Sequence, residues 1–91
     1  MIFITLGKFR KKPTKEMIAA TDKLASEVQK QGVKFLGAYW TLGRYDLVFI
    51  TEVADQGAVE RAMRGAAALS EYIATETLVA LKREDAVKLL D

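Results

Sequence analysis

The chain opens on "MIFITL" (1–6), an apolar, β-branched run that reads as a strand, stopped by Gly7 and a basic loop that ends at Pro13. The apolar period then lengthens. Met17, Thr21, Leu24 and Val28, joined by Ala20 and Ala25, recur at the spacing of one helix face. Thr14 is placed to cap that helix, Glu16 stands in its first turn, and Gly32 sits where a left-handed residue ends a helix. The pattern predicts a helix over about 14–31. "VKFLGAYWTL" and "DLVFITEV", dense in aromatic and β-branched residues, flank Gly43-Arg44 as the arms of a hairpin. Asp55 caps a second helix whose buried side is Ala58, Val59, Ala62, Met63, Ala66 and Leu69. "YIATETLVAL" (72–81) is a further strand, and "REDAVKLL" makes a short last helix with its acids first and Lys88 late.

The order βαββαβ with a terminal helix predicts a single α+β domain over residues 1–91. Its architecture is a ferredoxin-like sandwich, a four-stranded antiparallel sheet with both helices on one face. The other sheet face is left open, and what covers it is the functional question.

Gly at the first central position of a two-residue loop suits a type II′ turn, so Gly43-Arg44 sets the hairpin register. One face then carries Leu42 with Tyr45, Trp40 with Leu47, Ala38 with Phe49 and Leu36 with Thr51, which is the natural helix-packed core. The opposite face carries Thr41 with Asp46, Tyr39 with Val48, Gly37 with Ile50 and Phe35 with Glu52. A four-residue loop keeps this parity, whereas a bulge exchanges the faces. In the first strand Ile2, Ile4 and Leu6 are expected inward, leaving Phe3 and Thr5 on the open face. Thr75 and Thr77 are assigned there too, because two hydroxyls fit a lined cavity better than a dry core. An open face carrying Phe3, Phe35, Tyr39, Val48 and Ile50 is a hazard in water, and pairing two sheets in a two-fold homodimer covers it.

Composition narrows the chemistry. With 51% apolar and 29% charged residues the chain is an ordinary globular sequence, too apolar for disorder. It has neither Cys nor His, which removes thiolate nucleophiles, the usual zinc ligands and the side chain best suited to proton transfer near neutral pH. The scattered acids give no recognisable metal site, and no cofactor is expected. No run is long enough for a membrane span and no signal sequence is visible, so a cytoplasmic protein is expected. Lys8, Arg10, Lys11, Lys12 and Lys15 all precede the first acid, Glu16, within a net charge of only +2. The overall balance is too mild to imply nucleic acid.

"YWTLGRYDLVFITEV", together with the later "TETLVAL", resembles the GYD family, small bacterial and archaeal proteins named for a Gly-x-Tyr-Asp motif. The resemblance places that motif at Gly43, Tyr45 and Asp46 and covers nearly the whole chain. It implies the dimeric α/β-barrel superfamily, in which two ferredoxin-like protomers pack their sheets together. Monooxygenases, haem-dependent enzymes and ligand-sensing domains belong there, so the resemblance implies fold and dimer more than any reaction.

Two roles are open to Asp46. It can accept hydrogen bonds from turn N–H groups, or sit beside Thr41 at the mouth of a dimer cavity as a proton acceptor. Tyr39, Thr41, Asp46, Thr75 and Thr77 are the expected ligand-binding set, with Phe3, Phe35, Val48 and Ile50 at the dimer interface. Trp40 reads as packing, and Glu52 and Glu76 as ion-pair partners at a subunit edge. The expected function is a homodimeric small-molecule-binding or accessory protein with a cavity on the open sheet face. The alternative is a cofactor-independent monooxygenase- or isomerase-like enzyme, with Asp46 as base and Tyr39 or Tyr45 donating to an oxyanion. A third reading is RNA binding, since the RNA recognition motif shares the βαββαβ order and Phe3 stands in its first strand. "GRYDLVFI" speaks against it, because it puts acidic Asp46 and aliphatic Leu47 where that motif needs small and aromatic residues.

Overall fold

Each helix begins where a side chain can take up a free amide. The computed structural model describes all 91 residues. In it Thr14 Oγ1 accepts from the Met17 N–H at 3.1 Å to start α1 (Lys15–Lys30), and Asp55 Oδ1 accepts from Ala58 N–H at 2.8 Å to start α2 (Gln56–Ala68). Gly32, at φ 101°, turns the chain out of α1 in the left-handed region expected of it. Arg61 on α2 donates from Nε to Gln31 O at 2.9 Å, which ties the exit of α1 to the second helix. The strands are β1 (Ile2–Phe9), β2 (Val33–Trp40), β3 (Leu47–Val53) and β4 (Ile73–Ala80), and a short α3 (Arg83–Lys88) closes the chain.

The sheet is fully antiparallel in the order β2-β3-β1-β4, which is the α+β, ferredoxin-like arrangement expected. No helix is long and apolar enough to cross a membrane. Only ten residues are buried, and the best-packed cluster is Val28, Val33, Val53 and Ala58 at one end of the helix–sheet layer. Met63, expected on the buried side of α2, is instead 67% exposed; that side is carried by Ala58, Val59 and Ala62.

Register corrects several face assignments. Along β1, Phe3, Thr5 and Gly7 pair with Thr51, Phe49 and Leu47 of β3, and Phe3 packs on the core that contains Val28 and Ala58 of the helices. Phe3 and Thr5 therefore face the helices, while Ile2, Ile4 and Leu6 take the open face. Thr5 pairs with Thr77 and Gly7 with Thr75, so both β4 threonines also belong to the helix side. The strand did not stop at Gly7. It runs to Phe9, and the bare Gly7 backbone leaves room for Leu47 and Ile73, whose atoms would lie 2.5 and 3.0 Å from a Cβ there.

In the hairpin, Trp40–Leu47, Ala38–Phe49, Tyr39–Val48 and Gly37–Ile50 pair as expected. Beyond them a bulge at Leu36 shifts the register, so that Phe35 pairs with Thr51 and Lys34 with Glu52. Phe35 thereby moves to the helix side and packs against the core, and Leu36 leaves the expected partnership with Thr51. The two-residue turn is also wider than expected. The strands end at Trp40 and Leu47, and Thr41 N–H donates to Asp46 O at 2.7 Å across the loop 42–45. That change preserves parity, and Gly43 at φ 124° supplies the left-handed residue.

Candidate functional site

The two sheet faces have different chemistry. On the open face the central rows read Gly37, Ile50, Ile4, Leu78 and Tyr39, Val48, Leu6, Glu76, with Lys34, Glu52, Ile2 and Ala80 at one end. The middle is an aliphatic band and the charges stand at its margins. Tyr39 lies back over Gly37, whose Cβ position is 2.9 Å from the ring, so the glycine makes room for the phenol. Tyr39 is the one aromatic side chain in these rows. The aromatic pairing that an RNA-binding platform takes from Phe3 is absent from this face, because Phe3 points to the helices.

On the helix side the layers do not close. A cavity of about 310 Å³ lies between α1, α2 and the sheet. Its cause is side-chain length. Ala25 on α1 and Ala62, Gly65 and Ala66 on α2 line it, and these stubs do not fill the space above Phe35, Ala38 and Phe49. Gly65 also lets the helices approach each other, with Val28 Cγ1 only 3.3 Å from where a Cβ would stand. Thr5, Thr51 and Thr75 on the sheet side and Thr21 on α1 add hydroxyls, and Asp22 and Gln29 of α1 add a carboxylate and an amide, to a wall that is otherwise apolar. This cavity thus lies on the face opposite the one expected, since the small helix residues hollow out the layer that was expected to be solid.

The expected ligand-binding residues do not converge. Thr75 lines the helix-side cavity, and Thr77 stands beside Thr5, hydroxyl to hydroxyl, at 3.4 Å. Tyr39 is on the open face. Thr41 and Asp46 hold the end of the hairpin: Thr41 Oγ1 donates to Tyr45 O at 2.7 Å, and Asp46 Oδ2 accepts from Phe9 N–H at 2.9 Å. The Asp46 N–H also donates to Gly7 O at 2.8 Å, so this residue fastens the start of β3 to the end of β1. Val48 and Ile50 remain on the open face as expected, without Phe3 and Phe35.

The Gly-Arg-Tyr-Asp segment has one more polar contact. Tyr45 Oη donates to Glu76 Oε2 at 2.7 Å, spanning β1 to reach β4. That hydrogen bond, with lesser help from desolvation and the Glu76 charge, raises the phenol above its ordinary pKa, against a small opposing pull from Arg44. The Arg44 guanidinium carbon lies 5.7 Å from the Tyr45 ring centre. Sequence reasoning missed the Tyr45–Glu76 contact and the cavity wall formed by Ala25, Ala62, Gly65 and Ala66. A legible signal for the wall was the small-residue face of α2 opposite an aromatic sheet.

Among solved structures, the chain is similar to a dimeric ferredoxin-like protein of unknown function from Thermobifida fusca YX, with a TM-score of 0.55 and 12% identity over 87% of this chain and 89% of that one. It also matches an antibiotic biosynthesis monooxygenase, with a TM-score of 0.41 and 18% identity over 89% of this chain and 99% of that one. No curated protein matches it. The first likeness supports the ferredoxin-like fold. The GYD domain model matches residues 3–90, from the first strand to the last helix and through Gly43, Tyr45 and Asp46, and the chain belongs to the GYD domain family.

Proposed function

We propose that the protein is a homodimer that binds a small molecule within each protomer, in the cavity between the helix pair and the sheet. The observation that carries this reading is the cavity itself. Its volume of about 310 Å³ falls at the small end of ligand pockets, roughly 300–1,000 Å³. It is largely apolar with a few hydroxyls, the usual make-up of such sites. The dimer rests on the open face, where Ile2, Ile4, Leu6, Val48, Ile50 and Leu78 form a band too apolar to leave in water. A second copy placed by two-fold symmetry covers that band sheet to sheet, and the similar Thermobifida fusca protein is itself described as dimeric. Pairing through the open face leaves both cavities intact.

Two substitutions separate the surfaces. Ala66→Phe fills the cavity and is expected to abolish binding of the uncharged dye Nile red while the dimer persists. Ile50→Glu buries an unpaired charge at the interface and is expected to give monomers in sedimentation. Dye binding unchanged by Ala66→Phe would refute the cavity as the site. A wild-type chain that sediments as a monomer at micromolar concentration would refute the dimer.

A further inference from the structure

We infer that the ligand of this cavity is an uncharged ring compound carrying a hydroxyl or carbonyl oxygen, with that oxygen seated on Thr51. The inference rests on the cavity being a small-molecule site and adds the chemistry of its occupant. Charge decides first. The chain has 14 Lys and Arg residues, yet none lines the cavity, and Asp22 is the only ionisable group that does. A carboxylate or phosphate entering there loses its hydration and meets no counter-charge. Asp22 itself is exposed on α1, where water screens it, so it is a weak anchor for a cation.

The hydroxyls decide next. Of the threonines lining the cavity, Thr21 already donates to Ile18 O at 2.8 Å, Thr5 is shared with Thr77 at 3.4 Å, and Thr75 is exposed, so water satisfies its hydroxyl. Thr51 differs. It is only 9% exposed, it lines the cavity, and its hydroxyl is bonded to no group of the chain. No buried side-chain oxygen is left unpartnered, so the accessible part of the Thr51 hydroxyl opens on the cavity. A nearly dry hydroxyl there favours an occupant that brings a hydrogen-bonding oxygen. Rings complete the picture. Phe35 pairs across the strands with Thr51 and meets Phe49 edge to face, with centres 6.1 Å apart at 88°. Both phenylalanines line the cavity and present aromatic surface on which a flat ring packs well.

The test uses four probes of one ring system, naphthalene, naphthol, naphthoate and naphthylmethylamine, each displacing Nile red from the full-length protein. Naphthol is expected to bind about tenfold or more tighter than the other three. Thr51→Val keeps the shape of the side chain and is expected to reduce naphthol to the affinity of naphthalene without changing naphthalene itself. Naphthoate or naphthylmethylamine binding as tightly as naphthol overturns the charge inference while leaving the cavity as the site. An equal loss for all probes in Thr51→Val overturns the oxygen seat, since the residue then acts by packing alone. If no probe displaces the dye, and Ala66→Phe leaves dye binding unchanged, the cavity reading itself fails.

Discussion

Gly7→Ala adds one methyl group at the most closely approached glycine of the chain. Its Cβ would stand 2.5 Å from Leu47 Cδ1, 2.9 Å from Leu47 Cγ and 3.0 Å from Ile73 Cγ2, where carbon atoms rest comfortably at about 3.5–4.0 Å. Neither neighbour can swing into solvent, because both are only 2% exposed. Overpacking of this kind costs about 1–3 kcal/mol. Against it stands the reduced freedom of the unfolded chain, a gain of about 0.4–1 kcal/mol, since Gly7 is not held at positive φ. The net expectation is a loss of about 1–2 kcal/mol, or on the order of 5–15 °C in Tm for a chain of this size. Urea unfolding at one fixed protein concentration measures it, the concentration being held because association adds to stability. The cause is isolated by Leu47→Ala, which removes both offending Leu47 atoms. In that background Gly7→Ala should be neutral or stabilising, a coupling of about 1–2 kcal/mol. A Gly7→Ala protein as stable as the parent, or a cost that persists after Leu47→Ala, would refute the close-approach account of this glycine.

Other expectations follow from single contacts. Asp46→Ala strands the Phe9 N–H that its carboxylate now accepts, and should cost about 1–3 kcal/mol in urea unfolding while Nile red binding survives. Loss of binding at unchanged stability would give Asp46 a role at the ligand instead. The Tyr45 phenol is raised by its hydrogen bond to Glu76, so the stability it contributes is complete below about pH 10 and is lost as pH rises through the folded-state value. In an ultraviolet difference titration, with Tyr45→Phe identifying the signal, Glu76→Gln should bring that titration to lower pH, and an unmoved midpoint contradicts the assignment. Thr14→Ala and Asp55→Ala should each cost about 1 kcal/mol by removing a helix cap, read in the same urea experiment.

What the sequence made legible was whatever depends on local chemistry. Thr14, Gly32 and Asp55 mark helix ends because a hydroxyl, a bare Cα and a carboxylate satisfy backbone groups wherever they stand. The fold class followed from the alternation of strands and helices. Faces were harder where both sides of a strand are apolar. "IFITLGKF" offers Ile2, Ile4 and Leu6 to one side and Phe3 and Phe9 to the other, and hydropathy cannot choose between them. Only Gly7 pointed to the helix side, as the residue that yields space to Leu47 and Ile73. In β2 the bulge at Leu36 moved Phe35, a displacement that depends on pairing with β3 and has no local signature. The Thr75 and Thr77 expectation used a sound premise, that hydroxyls suit a lined space, and applied it to the wrong side of the sheet. The space is made by alanines and a glycine on the helices, so it is a property of two layers together and of neither alone.

The bulge at Leu36 carries a consequence for chain length. On either side of it the pairing of β2 with β3 is regular but offset by one residue, and Leu36 is the excess. A chain lacking Leu36 would zip up without interruption, with Val33 and Phe35 still under the helices and Gly37 and Tyr39 still on the opposite side. Deleting an interior residue of β1 or β3 would instead turn every later side chain of that strand through the sheet. Leu36 is therefore where this fold tolerates a shortened strand, and relatives that lack the residue would keep both surfaces.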